Sequence, residues 1–500
     1  MKFRSLICSV VFLCLVSLTF DNLAIAAAPL INQSDGEQYR AIGRITGLLD
    51  CTGFVIDTEQ NNNAPAYAVT NGHCLQNYAQ SSITSDIVIG EDVRENGFSL
   101  TLDFFHDSAE TLDLDITEIA YATMKGTDLA IVRLDRDLIE LKQMGIQPLK
   151  IGNLLSTQES LIEVPGAPIF NGTGEDFLRL DQCKILGRSD LLEWFWYWRD
   201  AIITDCEAIA EGNSGSPLIA GNGKVLGVIN TSTAKASLSK TCYLGQACEV
   251  DEQGAEFVQG RSYAVPVDML TSCFIRGKFD IEAEGCPLDP GSKISVETAV
   301  RSPSSQASME FLGETWDITM SGLTQGFFYK TGLIGDIDCF NGESYSEKIS
   351  ARSKLLRDLD MPKQEGIYIM CIRFEQLEMK RAGQFPLVLP LVIDATGPTQ
   401  RPSATVLRRG ADNLWFDPLF DVPELSGYQF KVISGGEQCD RSALNLYNRI
   451  PISVSIAELP IKVCLLSEDN VGNAGSLWEF SIDSVQGSGR YELTPELVGG

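Results

Sequence analysis

The chain has 500 residues, with 67 Asp and Glu against 39 Lys and Arg and a formal net charge of −28. That balance excludes nucleic acid and anionic membranes as natural partners, because both would be repelled. The length suggests about three domains at about 150 residues each.

Residues 1–28 read as a secretory signal, with Lys2 and Arg4 as a basic start and Leu6 to Leu18 as an apolar stretch. Ala24-Ile25-Ala26-Ala27-Ala28 is a small-residue cleavage region. The apolar run is short for a membrane span of ~20 residues. The expectation is an exported monomer, secreted or periplasmic, without a membrane span. Cys8 and Cys14 fall in the signal, which leaves twelve of the 14 cysteines. An even count in an exported protein points to disulfides rather than metal ligands. There is no Cys-x-x-Cys pair, and His73 and His106 are far apart, so neither a metal nor an organic cofactor is expected.

Residues 29–40 are polar and are expected to be loose, a short N-terminal segment or propeptide that trimming after Arg40 would release. From Ala41 the pattern turns to short strands with Gly and Asn breaks, an all-β signature. Cys51-Thr52-Gly53-Phe54-Val55-Ile56 precedes a polar hairpin tip, Glu59 to Asn63, and then Ala68-Val69-Thr70-Asn71-Gly72-His73-Cys74. His106, in Asp103-Phe104-Phe105-His106-Asp107, reads as a surface loop residue. Asp128 opens the apolar run Leu129-Ala130-Ile131-Val132. A buried carboxylate without a partner is expensive, so one is expected there.

In Trp194-Phe195-Trp196-Tyr197-Trp198, a strand would set the three tryptophans on one face. The run is either a ledge for substrate or partner, or a hairpin packed against its own barrel. The second reading is favoured, since aromatics are common in strands. Glu211-Gly212-Asn213-Ser214-Gly215-Ser216-Pro217 then puts a serine next to two flexible backbone positions. On a tight loop the N–H groups of Gly212 and Ser214 can converge on an oxyanion. Alone, the heptad is also an ordinary turn. It needs a base.

His73, Asp128 and Ser214 follow one of the known chain orders of a catalytic triad. Thr70-x-x-His73-Cys74, Asp128-Leu129-Ala130-Ile131 and Gly212-Asn213-Ser214-Gly215-Ser216-Pro217 all resemble the chymotrypsin/trypsin-like serine proteases. The last wording is most similar to the bacterial V8-like, glutamyl-endopeptidase branch. The resemblance covers roughly residues 40–280. It implies a chymotrypsin-like double β-barrel over residues 41–286 and protein or peptide substrates. It also implies Ser214 as nucleophile, His73 as base, Asp128 as the group that orients it, and Gly212 and Ser214 as oxyanion donors. The pairs expected there are Cys51–Cys74, Cys183–Cys206, Cys242–Cys248 and Cys273–Cys286, with Tyr263 to Leu270 a last strand running into a short helix.

The sequence departs from the family in two respects. Asn213 replaces the Asp that pairs with a new N-terminus in members activated by proteolysis. Ala208 stands where the trypsin-like branch carries an Asp, and the strand Gly227 to Ser232 lacks the histidine of the glutamyl branch. With Ala208, Ile209, Asn230, Thr231 and Ser232 as pocket candidates, a small or apolar P1 residue is expected. Asn230 is expected to bond Asp128 or the substrate backbone.

After the linker Pro287 to Ser292 the chain repeats itself. Gly326-Phe327-Phe328-Tyr329-Lys330 and Gly427-Tyr428-Gln429-Phe430-Lys431 are each followed by a cysteine, Cys339 and Cys439. Each copy then carries a strand-borne cysteine, Cys371 or Cys464, and ends on Ile-Asp. Two β-sandwich modules are expected, residues 293–396 and 403–485, with the pairs Cys339–Cys371 and Cys439–Cys464. Thr396 to Pro402 would be the joint, Glu347 to Leu359 an inserted helix or long loop, and 486–500 a flexible tail. Ser467 to Asn473 resembles a loop of bacterial immunoglobulin-like domains. The modules serve either as a surface for a glycan or protein ligand or as a spacer; fold alone does not decide.

The leading reading is an exported serine endopeptidase. Its rival is a catalytically silent, protease-like binding or adhesion protein, against which the intact triad argues. An esterase Gly-x-Ser-x-Gly motif is not met, because Ser216 stands at its second glycine.

Overall fold

Between Ile42 and Asp137 seven strands follow one another: β1 (Ile42–Thr46), β2 (Cys51–Ile56), β3 (Pro65–Thr70), β4 (Ile87–Asp92), β5 (Ser99–Leu102), β6 (Leu112–Thr123) and β7 (Leu129–Asp137). The computed structural model describes residues 28–498 except 47–49, 59–62, 77–82, 84–85, 154–160, 170–175, 235–241, 292–294, 299–303, 306–317, 322–325, 351–354, 357–363, 376–384, 420–424, 470 and 486–489. Residues 1–27 of the expected secretory signal and most of the Glu59–Asn63 tip lie outside the described residues. The strands run β6-β5-β1-β2-β3-β7, and antiparallel pairing of β6 with β7 closes the ring. Closure removes the open edges of a sheet. β2 and β3 are buried at every position, which is why they read as nearly unbroken apolar runs.

A second ring is built from β9 (Leu161–Gly166), β10 (Arg179–Glu193), β11 (Trp196–Thr204), β12 (Pro217–Ala220), β13 (Lys224–Ser232) and β16 (Ser262–Pro266). It closes through β10 and β11, while β8 (Lys150–Ile151) adds to β13. The hairpin of β14 (Cys248–Asp251) and β15 (Gly254–Phe257) extends from β10. The molecule is therefore all-β, a chymotrypsin-like double barrel followed by β-sandwich modules. The short helix after β16 is a 3-10 turn, Asp268–Cys273, tied down by Cys273–Cys286.

Residues 29–40 are not loose. Ile31 N–H donates to Leu178 O at 3.0 Å, and Leu180 N–H to Pro29 O at 3.0 Å. Tyr39, buried, donates to Glu163 Oε2 at 2.6 Å, and Arg40 forms a two-bonded ion pair with Asp103 at 2.6 and 2.9 Å. The polar letters of this segment hide anchors whose partners are distant in sequence. His106 belongs to the same clasp, its Nδ1 3.3 Å from Ile31 O.

The aromatic run is not a single strand either. Trp194 and Phe195 form the turn between β10 and β11, Trp194 with φ of 55°. Trp196 and Trp198 are buried in the protease core, their rings stacked at 5.8 Å. Tyr197 faces the other way, into a cluster shared with the first module.

The first module has one sheet of Ser295–Thr298, Ile318–Ser321 and Leu355–Leu356. Its other sheet has Ser304–Ser305, Leu387–Asp394, Gly366–Phe374 and Phe327–Leu333. No helix occurs among the described residues of Glu347 to Leu359, which contribute the strand Leu355–Leu356. The second module pairs Ile452–Ser455, Asn413–Pro418, Ala404–Arg409 and Arg490–Leu493 in one sheet. The expected flexible tail is thus an edge strand, with Tyr491 and Leu493 packed on the module's core. Its short alternation is too brief to stand out in the sequence.

The two copies share a device. Lys330 lies opposite Cys371 and Lys431 opposite Cys464. Each ammonium donates to the carbonyl eleven residues on, Asn341 O at 2.9 Å and Ser442 O at 3.0 Å, pinning the loop that carries the first cysteine. The first module also shares an apolar cluster with the protease domain. Leu192 and Cys242–Cys248 pack there with Ile334, Cys339–Cys371 and Val392. Tyr243 OH donates to buried Asp394 Oδ2 at 2.9 Å, and Arg199 lies 3.7 Å over the Phe340 ring. At the joint, Asn473 Nδ2 donates to Asp394 O at 2.9 Å.

Candidate active site

His73 opens a 3-10 turn, His73–Leu75, just after β3, and Cys51–Cys74 ties that turn to the start of β2. Gly72 before it has no room for a side chain: a Cβ would stand 2.1 Å from Thr123 O and 3.1 Å from Asp128 Oδ1. Asp128, fully buried at the mouth of β7, uses both carboxylate oxygens on His73. Oδ1 accepts the His73 backbone N–H at 2.9 Å, and Oδ2 lies 2.6 Å from Nδ1. Its carbonyl accepts from Asn71 Nδ2 at 2.9 Å. The carboxylate thus holds the proton on Nδ1 and leaves Nε2 as an acceptor. Burial works to lower the His73 pKa, but the charge and hydrogen bond of Asp128, with a smaller push from Glu193, prevail and raise it.

Ser214 sits on a loop shaped from the other barrel. Thr52 N–H donates to Ser214 O at 2.8 Å and Thr52 Oγ1 to Gly212 O at 2.8 Å. The same Oγ1 accepts from Ala167 N at 2.9 Å, and Thr52 O accepts from Thr70 Oγ1 at 2.8 Å. Gly215 has φ of 89°, and a Cβ there would lie 1.9 Å from Thr52 O. Among the described residues, the N–H groups of Gly212 and Ser214 meet no acceptor. No hydrogen bond joins Ser214 Oγ to His73 among the described residues. Such contacts are often long in an unliganded site and tighten with substrate.

The pocket candidates divide. Ile209 is buried with Ile162, Leu218 and Ile229 in the second barrel's core. Ala208 N–H donates to Asp181 Oδ2 at 3.2 Å, and Ser232 Oγ lies 2.8 Å from Ser262 Oγ. Asn230 is buried on β13 and makes no hydrogen bond to Asp128 among the described residues. Thr231 is partly exposed beside Glu193. Asn213 Oδ1 accepts from Ala210 N at 3.3 Å, a bond inside its own loop.

The six expected cysteine pairs are joined, Cys51–Cys74, Cys183–Cys206, Cys242–Cys248, Cys273–Cys286, Cys339–Cys371 and Cys439–Cys464. Among the described residues, the groups with metal-ligand spacing are Cys51, His73, Cys74 and Asp181, Cys183, Cys206. Their sulfurs are spent in disulfides, so each group keeps one donor. One residue escaped sequence reasoning: Thr52 carries no signal beyond its place after Cys51.

Residues 51–228 match the family described as trypsin-like peptidase domain. This stretch is a trypsin-like peptidase domain. Solved structures similar to the chain include a Glu endopeptidase in complex with MPD, at 17% identity, 48% of this chain, 91% of that chain and a TM-score of 0.28. The active form of the Rv3671c protease from M. tuberculosis is similar at 16% identity, 49% and 85% coverage and a TM-score of 0.29. Protease Anisep from Arthrobacter nicotinovorans is similar at 13% identity, 45% and 90% coverage and a TM-score of 0.29. No curated protein matches the chain. The domain match and the strand topology carry the assignment of a serine peptidase with protein or peptide substrates.

Proposed function

We propose that the chain is an exported serine endopeptidase in which Ser214, His73 and Asp128 act as a catalytic triad. The observation that carries this reading is the doubly bonded His73–Asp128 pair, with Nδ1 2.6 Å from a fully buried carboxylate. Ser214 Oγ attacks the scissile carbonyl while His73 Nε2 takes its proton. The oxygen that becomes negative is received by the N–H groups of Gly212 and Ser214, a contribution of roughly 3 kcal/mol per donor in such sites. The proton then passes to the leaving amine, and water repeats the sequence on the acyl-enzyme.

With Ala208 and no basic-residue partner at that place, the substrate's P1 side chain is small or apolar. The first module, by its shared cluster with Leu192 and Cys242–Cys248, acts as a fixed brace rather than a swinging ligand-binding arm.

A fluorophosphonate probe tests the reading on the full chain. Wild type should be labelled, with labelling fading as His73 protonates, and Ser214→Ala and His73→Ala should not. Ser214→Ala should lower turnover by roughly 10⁶-fold, because a triad works as a unit. An unlabelled, folded wild type would favour the silent binding protein instead.

A further inference from the structure

Arg44 lies on β1 directly opposite Thr52 on β2, so their side chains leave the same face of the first barrel. The Arg44 guanidinium is buried, and its Nη2 donates to Ala167 O and to Pro168 O, each at 3.1 Å. Nη1 lies 3.8 Å from Asp50 Oδ2 and 3.8 Å from Asp176 Oδ2, and the group sits 4.9 Å from the centre of the Phe104 ring. Nε is buried without a hydrogen bond among the described residues. The two carboxylates answer the buried charge, and one arm of the fork is spent on two successive carbonyls just after β9.

Those carbonyls belong to the segment that abuts the Ser214 loop. Ala167 N–H donates to Thr52 Oγ1 at 2.9 Å, and Ile169 N–H donates to Glu211 O at 2.8 Å. Gly212 packs on the same backbone: a Cβ there would stand 2.7 Å from Ala167 O and 3.0 Å from Ile169 N. Glu211 O and Gly212 N–H are the two ends of one planar trans peptide, so they point in opposite directions. Holding Glu211 O on Ile169 therefore turns Gly212 N–H away from that segment. Thr52 Oγ1 fixes the next carbonyl along, that of Gly212.

We propose that Arg44 is a positioning residue for the reaction proposed above, the clamp that keeps the Glu211–Gly212 peptide with its N–H toward the reacting carbonyl; the inference rests on that reading. As the Ser214 Oγ–C bond forms, the carbonyl π pair moves to its oxygen and the Oγ proton moves to His73 Nε2. A donor must face that oxygen before the charge arrives. Without Arg44 the Ala167–Ile169 segment loses both its bonds to β1. The Glu211–Gly212 peptide can then turn its carbonyl to the cleft, where it repels the oxyanion.

The test is labelling of full-length wild type, Arg44→Met and Arg44→Lys with a fluorophosphonate, whose phosphoryl oxygen takes the oxyanion's place. Methionine keeps much of the stem and no donor, whereas lysine keeps the charge and a donor. In Arg44→Met the maximal labelling rate should fall roughly 10²-fold, as for a donor displaced by about 1 Å, with the half-saturating probe concentration little changed. Arg44→Lys should fall between the two. The chain has two histidines, so ¹³C-histidine labelling isolates His73. Its titration should stay as in wild type, because no bond of Arg44 reaches His73 or Asp128 among the described residues. A folded Arg44→Met labelled at the wild-type rate overturns the proposal and leaves Arg44 a role in stability alone, which urea unfolding registers. A slowed Arg44→Met whose His73 titration has moved overturns it too, since the loss then runs through the base.

Should neither variant fold, a crystal structure of wild type carrying the probe decides. A phosphoryl oxygen on Gly212 N–H, with Glu211 O on Ile169 N–H and Arg44 on residues 167 and 168, supports the clamp. Glu211 O turned into the cleft overturns it. An unlabelled wild type sinks the triad reading itself, whereas a labelled wild type beside an unaffected Arg44→Met sinks Arg44 alone.

Discussion

The two barrels hold their halves of the cleft in unlike ways. On the first, His73 and Asp128 are bonded to each other twice and stapled by Cys51–Cys74, so the proposed base is set by its own barrel. On the second, the Ser214 loop takes its shape from Thr52, a residue of the other barrel. The proposed base and acid are held within their own barrel, whereas the loop of the proposed nucleophile is held by its neighbour. The seam between the barrels is therefore where geometry is most easily lost.

Gly215→Ala attacks that seam most directly. Its Cβ would stand 1.9 Å from Thr52 O on a backbone with positive φ, so the loop must shift. A displacement near 1 Å costs roughly 10²-fold in rate. We expect at least that loss in kcat, with the His73 titration left as in wild type. A Gly215→Ala enzyme of normal kcat would mean the loop does not depend on Thr52. Thr52→Val is gentler. It leaves Gly212 O and Ala167 N without their hydroxyl, each worth about 1–3 kcal/mol when buried and unpaired. Urea unfolding should register this, and kcat should fall while the His73–Asp128 pair stays intact.

The smallest effect belongs to the region away from the cleft. Burial pushes Asp394 up to about 6, against its Thr396 N–H and Tyr243 bonds. A carboxyl whose native pKa is raised gives stability that is fully present below about 4, its ordinary range, and is lost as pH rises through the native value. Wild type should therefore lose stability between about pH 4 and pH 7 relative to Asp394→Asn, while their kcat values remain alike. Equal slopes in thermal unfolding across that range would remove Asp394 from the account.

Much of this was legible because it is local. The residues around His73, Asp128 and Ser214 announce themselves in short words, and the cysteine pairs follow from neighbouring strands. The repeat of Lys330 and Lys431 is written at nearly equal offsets. What escaped depends on partners far away in sequence. Thr52 matters through residue 212 and Arg40 through Asp103. Ile209 was named for its place along the chain, whereas its packing against Ile162, Leu218 and Ile229 is set by three other strands. The bend at Trp194–Phe195 was hidden because aromatic residues are strand formers and supply no turn signal.

The apolar cluster that joins Leu192 and Cys242–Cys248 to Ile334 and Val392 also orders events during synthesis. Chains leave the ribosome N-terminus first and domains fold as units. The protease barrels are complete by Cys286, but the outer face of the β10–β11 hairpin stays bare until Val392 has emerged. Until then the side of that hairpin carrying Leu192 and Tyr197 lacks the apolar cover that the complete chain gives it.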